Sequence, residues 1–497
     1  MKNLCAFAPL RDNGFVNLSP REIAAKIVAK LQQAGFAAFW VGGCVRDFLL
    51  GREPQDFDIA TDAKPEQVEK LFHKTIPVGR KFGVMIVVEG GQEFQVATFR
   101  AEADYQDGRR PEKIEFANAE ADASRRDFTV NGLFYDPLTE KIHDWVGGEN
   151  DLRAKIIRTI GAPEERFGED HLRMLRAIRF AAQLGFEIEP KTFAAIQTLA
   201  PKIKIISAER VRDELLKLFA PPSAAFSLSS AGGEGRGKEA DDSQFQNPSP
   251  QPSPRLGGER EKNSPAARGL VLLRDSGLLE HVLPELAATI GCEQSPDFHP
   301  EGSVFNHICL MLEKMPADAN ALLPWAVLLH DIAKPVTAEK DLATGKIHFY
   351  GHEKIGADMT EKILQRLKFP NREIEEIVAA VRHHMQFKDV KAMRKATLRR
   401  LLLRETFPLE LELHKLDCLG SFGDLSHYDF CVAAAEELKN QPQIFPPLLN
   451  GHDLLALGVA PGKPMGELLH EIRERQLADE LKTADEARAW VKRLLAQ

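Results

Sequence analysis

Cysteine is scarce and scattered. The six cysteines, Cys5, Cys44, Cys292, Cys309, Cys418 and Cys431, include no CxxC pair, which excludes a disulfide framework and a thiolate zinc site. No uninterrupted apolar run reaches the roughly eighteen residues that a membrane helix needs, so no membrane partner is expected. The opening MKNLCAFAPLRDNGF has a broken apolar stretch and no small-residue cleavage site, so a cytoplasmic protein is expected. Positive charge is not in surplus either: 65 Lys and Arg stand against 73 Asp and Glu, and any nucleic-acid contact must come from a local basic face. No internal repeat is visible. What is present, 43% hydrophobic and 28% charged residues over 497 positions, suits a soluble chain with several cores.

One composition break divides the chain. In 227–265, 18 of 39 residues are Ser, Gly or Pro, and only Leu228, Ala231, Ala240, Phe245 and Leu256 are apolar. Such a stretch cannot build a core and reads as a solvated, disordered insertion. Before it, strand and helix signals mix; after it, the apolar spacing is almost wholly helical. A first helix is signalled by Ser19-Pro20-Arg21-Glu22, a capping box with Pro at the first turn. A strand at 37–41 runs into Gly42-Gly43, a short helix follows at 45–50, and further strands are expected at 56–60, 83–88 and 94–99. Glu89-Gly90-Gly91-Gln92 is the hairpin between the last two. An α+β fold with a small mixed sheet results.

Within it, Asp56-Phe57-Asp58 places two carboxylates on one side of a strand about 7 Å apart. Paired like charges suit a hard cation such as Mg²⁺, which also keeps substrate phosphates in its shell. Standing alone, the pair also fits two solvated carboxylates at a loop edge. About ten residues earlier, VGGCVRDFLLG offers backbone N–H groups at a glycine turn, with Arg46 as a cationic fork for phosphate. The stretch 169–184 lacks Pro and, within 169–184, Gly, and reads as one amphipathic helix. Asp170, Arg173, Arg176 and Arg179 recur every three residues along its polar face, either as an ion-pair ladder or as a base-reading surface. An Asp accepting from an exocyclic amine beside an Arg donating to a ring acceptor would select adenine and cytosine over guanine and uracil. From 151 to 217 there are 13 Lys and Arg against 10 Asp and Glu, a mildly basic stretch.

Three ordered motifs carry a resemblance: Gly42-Gly43-Cys44-Val45-Arg46-Asp47 through Asp56-Phe57-Asp58-Ile59-Ala60-Thr61, then Arg125-Arg126-Asp127-Phe128-Thr129-Val130-Asn131, then Glu169-Asp170-His171-Leu172-Arg173. Together they resemble the tRNA nucleotidyltransferase and bacterial poly(A) polymerase family. The resemblance implies a polymerase β-like head, Mg²⁺ ions on Asp56 and Asp58, and triphosphate contacts from Gly43, Arg46 and Arg126. It implies base contacts from Asp170, Arg173, Arg176 and Arg179, and an in-line two-metal transfer from CTP and ATP to the 3′ end of tRNA, completing CCA, with release of pyrophosphate. Gln95 departs from the acidic residue that relatives commonly carry there. Downstream, His307, the His330-Asp331 pair and Asp417 resemble the HD metal-dependent phosphohydrolase domain, which implies that these four bind a divalent metal of unspecified identity; His352, His383 and His384 lie between them. The expected division is a head at 17–150, an all-α neck at 151–222, the insertion at 223–266, an all-α HD domain at 267–440 and a helical tail at 441–497. The rival readings are a poly(A) polymerase, to which the basic Val78-Gly79-Arg80-Lys81-Phe82 run lends some support, an HD phosphohydrolase whose head only holds RNA, and a non-catalytic RNA-binding module.

Overall fold

A computed structural model describes residues 18–101, 115–221, 264–295, 302–440 and 446–496. These form two compact units, the first ending at Leu199 and the second beginning at Ala200, inside the span read as a neck. Nearly all of the predicted insertion lies outside the described residues. Its last residues are described: Ser264 caps the helix Pro265–Asp275 by accepting from the Ala267 N–H.

The first unit opens with α1 (Pro20–Gln33), fixed by the capping box read from the sequence: Ser19 Oγ accepts from the Glu22 N–H at 3.3 Å, and Glu22 accepts from the Ser19 N–H at 2.8 Å. Ile23, Ile27, Val28 and Leu31 form its buried stripe. There follow β1 (Ala38–Val41), α2 (Gly43–Leu49), β2 (Ile59–Thr61), α3 (Pro65–Leu71), β3 (Thr75–Gly79), β4 (Val84–Glu89) and β5 (Gln92–Thr98). A two-stranded pair, β6 (Arg100–Ala101) with β7 (Glu115–Phe116), precedes α4 (Ala119–Ser124). The strands β8 (Phe134–Asp136) and β9 (Lys141–His143) then complete a seven-stranded sheet of order β3-β4-β5-β2-β1-β8-β9. It is mixed: β2 and β5 run parallel, and the other pairs antiparallel. The Glu89 to Gln92 hairpin closes with both central glycines at positive φ, 59° and 78°, as a two-residue turn of matching twist requires.

The strand expected over 56–60 is shorter, because β2 starts at Ile59. Its partner β1 ends at Val41, whose N–H donates to the Asp58 carbonyl at 3.0 Å before the chain turns at Gly42. Asp56 and Phe57 therefore have no β1 residue to pair with, and the carboxylate pair lies on the approach to the strand.

After the sheet come α5 (Gly148–Ala154), α6 (Pro163–Glu169), α7 (Leu172–Leu184) and α8 (Pro190–Leu199), with a short parallel pair, Ile156–Ile157 and Glu187–Ile188, among them. Among the described residues the second unit is helical apart from one hairpin, Ala338–Lys340 with Ile347–Phe349, and an isolated bridge between Glu293 and Ser303. Its last helices, Gly451–Ala456, Lys463–Leu477 and Ala484–Leu495, share a core of their own around Leu454, Ile472 and Val491.

Candidate active site

The glycine turn is built from one residue only glycine can supply. Gly42 sits at φ 76°, ψ −133°, donates to the Leu133 carbonyl at 3.2 Å, and lies so close to Arg126 that a Cβ would meet Nη1 at 2.8 Å. Gly43 then opens α2. Phe57 turns inward onto Trp40, ring centroids 4.7 Å apart, while Asp56 and Asp58 on either side of it stay exposed and partly exposed. Burial pushes the Asp58 carboxyl up to about 6; Arg126 opposes the rise, and the Asp56 charge adds to it. Arg126, Asp58, Asp56 and the Gly42 turn thus occupy one site. Arg126 Nε is buried without a hydrogen-bond partner, a spare donor at that turn. Two hard oxygen donors that repel one another, incompletely neutralised by a nearby arginine, fit a magnesium ion.

The raised Asp58 carboxyl couples its protonation to folding. The group titrates near 3.8 when unfolded and near 6 when folded, so the folded chain carries the extra proton between those values. In chelator, stability should fall as pH rises from about 4 to 6, and chemical denaturation of Asp58→Asn should lack that part of the slope. Magnesium affinity should rise over the same interval, since proton and cation compete for the carboxylate.

Behind the turn lies an arginine framework. The buried Asp122 accepts from Arg125 Nε at 2.8 Å, Arg126 Nη2 at 3.1 Å and the Arg100 N–H at 3.2 Å. Burial alone would raise its carboxyl, but Arg126 and Arg125 bring it below the ordinary value. Asp127 accepts from Arg176 Nε at 2.8 Å and Nη2 at 2.6 Å, which overcomes its burial and takes it down to about 2. Arg46 is buried rather than presented as a free fork: it donates to Asn131 Oδ1 at 2.8 Å and to both oxygens of Asp47. Asp122, Asp127 and Asn131 were not singled out in the sequence, although Asp127 and Asn131 stand inside the second motif.

The helix read over 169–184 is in fact two. The first ends at Glu169, Asp170 is extended (φ −148°, ψ 104°), and α7 begins at Leu172, whose N–H donates to Asp170 Oδ1 at 3.0 Å. Local side-chain bonding by Asp170 replaces a helical turn. Nor do the arginines make a solvated ribbon: Arg173 is 9% exposed and Arg179 1%. Arg173 donates to the Arg166 carbonyl at 2.9 Å and pairs with Glu169. The guanidiniums of Arg46, Arg176 and Arg179 all lie over the Phe180 ring, 5.3, 5.5 and 4.2 Å from its centroid.

In the second unit, His307 (helix Val304–Glu313), His330 and Asp331 (after Leu323–Leu329) and Asp417 (helix Phe407–Gly420) converge as the sequence reading grouped them. His307 Nε2 lies 3.0 Å from Asp417 Oδ1, and His330 Nε2 lies 3.1 Å from Asp331 Oδ2. Gly420 allows the approach, since a Cβ there would meet His307 Cε1 at 3.0 Å. The structure adds His352 and His384. Their Nε2 atoms lie 3.4 and 3.8 Å from Asp331 Oδ1 and 3.1 Å from each other. Two groups of donor atoms, His307 with His330 and Asp331, and Asp331 with His352 and His384, are each close enough to hold one metal ion.

His330, His352 and His384 each turn Nδ1 to a backbone carbonyl, of Val327 at 2.9 Å, Phe349 at 2.7 Å and Val381 at 2.6 Å. A carbonyl only accepts, so Nδ1 carries the proton and Nε2 is the atom left able to bind a metal. Burial and the neighbouring His330 take His384 down to about 3, while Asp331 holds His352 above its ordinary value despite burial. Burial would raise Asp331 itself, but His330 and Lys334, whose Nζ is 2.7 Å away, hold it well below the usual carboxylate range. The adjacent His383 serves elsewhere, 3.2 Å from the buried Glu410. The sequence shows the histidines but not which of the 383–384 pair faces Asp331.

A mixed sheet carrying paired carboxylates beside a glycine turn and an arginine framework defines a nucleotidyltransferase head, and the histidine and aspartate cluster an HD-type centre. Residues 38–158 match the poly A polymerase head domain, 185–230 the probable RNA and SrmB-binding site of polymerase A, and 303–419 the HD domain. The CCA-adding enzyme of Geobacillus stearothermophilus is 47% identical over 210 residues, 42% of this chain and 52% of that protein. That of Staphylococcus aureus (strain MRSA252) is 46% identical over 199 residues, 40% of this chain and 50% of that one. The chain thus spans about half the length of the curated relatives it matches. The crystal structure of the Bacillus stearothermophilus CCA-adding enzyme in complex with CTP superposes with a TM-score of 0.66 at 26% identity, covering 96% of this chain and 98% of that one. The chain thus carries the head domain of the poly A polymerase family and, further along, an HD domain. No helix among the described residues is long and apolar enough to cross a membrane.

Proposed function

We propose that this chain adds cytidylate and adenylate to the 3′ end of tRNA from CTP and ATP, completing CCA and releasing pyrophosphate. The observation that carries the reading is the Asp58 carboxyl, pushed up to about 6 beside Asp56, Arg126 and the Gly42 turn. Relatives named as CCA-adding enzymes supply the substrate. Asp56 and Asp58 would hold magnesium, which when bound activates the RNA 3′-hydroxyl and neutralises charge on the leaving pyrophosphate. The N–H of Gly43 and the spare Nε of Arg126 receive the triphosphate. Arg46, locked to Asp47 and Asn131, keeps the turn in place, and contacts phosphate through its remaining donor capacity. Asp170 accepts from the cytosine or adenine amine, Arg173 donates to the ring acceptor, and Arg176 and Arg179 hold that pair in position. Guanine and uracil would set a carbonyl against the carboxylate, which costs a few kcal/mol. The free thiols of the described cysteines suit a reducing cytoplasm, the compartment that goes with this reading.

The test offers tRNAs ending before CCA, after C and after CC, with labelled CTP and ATP, and sequences the products. Completion of CCA on all three is expected. Adenylate runs from ATP alone would replace this reading with a poly(A) polymerase, and tight tRNA binding without pyrophosphate release would replace it with a binding module.

The ligand cluster around Asp331 favours a second activity, metal-dependent hydrolysis of phosphoesters by the HD unit. His307, His330, Asp331, His352, His384 and Asp417 would hold the metal, and the donor set of imidazole and carboxylate suits a first-row divalent ion.

A further inference from the structure

From Lys388 to Arg404 the chain carries seven basic residues and one acidic, Asp389, inside a protein of net charge −8. The carboxyl-terminal part of this run is occupied. Lys395 and Arg399 both pair with Asp479, Arg400 pairs with Glu474, and Arg404 pairs with Glu410 at 3.0 Å. The other part is not. Lys388, Lys391 and Arg394 are exposed, and among the described residues none has a carboxylate within ion-pair distance; the charge of Lys391 is felt at Asp424.

The backbone aligns the two lysines. His384–Ala392 is a 3₁₀ helix, in which residues three apart eclipse one another about 6 Å apart along the axis. Phe387 and Val390 form its buried line, with Met393 packed against the same core, and Lys388 and Lys391 stand on the exposed line one residue on. Arg394 follows beyond the 3₁₀ helix as the N-cap of the helix Lys395–Leu402, with the backbone extended at Met393 and Arg394. The loop that holds Asp424 also carries Phe422, 62% exposed. Two cations at a spacing comparable to consecutive phosphates, a third three residues on and an exposed ring on a neighbouring loop match a nucleic-acid strand better than a globular acidic surface.

We propose that Lys388, Lys391 and Arg394 form a docking row for the phosphate backbone of the RNA substrate, with Phe422 available for stacking. This rests on the tRNA reading above and gives the HD unit a role in holding RNA that is separate from its metal centre. The test compares the full-length wild type with K388E/K391E/R394E and with the milder K388Q/K391Q/R394Q. It measures tRNA binding from 50 to 300 mM salt, the KM and kcat for tRNA, and the KM for CTP. The glutamate variant should bind tRNA at least about tenfold more weakly, and the glutamine variant should lower the slope of log affinity against log salt by about 2 to 3. The loss should appear in KM for tRNA, with kcat at saturating tRNA and KM for CTP within about twofold. Unchanged tRNA affinity and slope in the glutamine variant would overturn the docking row while wild-type CCA addition keeps the functional reading. A wild type that neither binds nor extends tRNA would overturn that reading itself.

Discussion

Asp58→Ala should lower CTP and ATP incorporation at least about a thousandfold, roughly 4 kcal/mol of transition-state stabilisation, measured as labelled nucleotide added to tRNA. Loss of fold is not the expected cause. Burial makes the Asp58 charge unfavourable in the metal-free protein, so Asp58→Asn should be at least as stable as the wild type above pH 6 while equally inactive. An Asp58→Asn protein that is stable and still extends tRNA at more than a tenth of the wild-type rate would remove the carboxylate pair from the chemistry. Affinity for tRNA should survive in both variants, since neither aspartate attracts a polyanion.

The second large effect belongs to Asp331, the carboxylate shared by both donor groups of the HD centre. Asp331→Ala should abolish bound metal, measured by elemental analysis after dialysis, and reduce phosphoester hydrolysis at least about a hundredfold, while CCA addition persists. The substitution also strands Lys334, buried and 2.7 Å from Asp331, without its counter-charge, and such a loss costs about 3 to 5 kcal/mol. Asp331→Asn, which keeps shape and a hydrogen-bond acceptor, separates the two consequences: metal and hydrolysis should still be lost, with a smaller fall in Tm. Retention of stoichiometric metal by both variants would show that Asp331 is not a ligand.

Much of the head can be read from local chemistry. The Ser19 capping box, the Gly90-Gly91 turn and the glycine at 42 are dictated by residues within a few positions of one another, and each is found where expected. The helix break at Asp170 is not legible in the same way. Apolar spacing continues straight through it, and only the Asp170 side chain, bonding Leu172, shows that the chain stops and restarts. An arginine every third residue looks like a solvated face. Its inward turn depends on Asp127, 49 positions before Arg176, and on the Phe180 ring between the guanidiniums. The HD ligands show the same division. The His330-Asp331 dipeptide announces itself, whereas His352 and His384 are recruited by a hairpin end and a helix end that spacing does not relate.

The Asp127–Arg176 pair has a consequence for accuracy. It bolts the second motif to α7, and three guanidiniums lie on the ring of Phe180, so the surface proposed above to discriminate between bases would be assembled before any nucleotide arrives. Little side-chain freedom is left to lose on recognition, and a mismatched base meets a die that cannot deform to accommodate it. On the proposed function, fidelity would be cast into the fold rather than borrowed from a second strand.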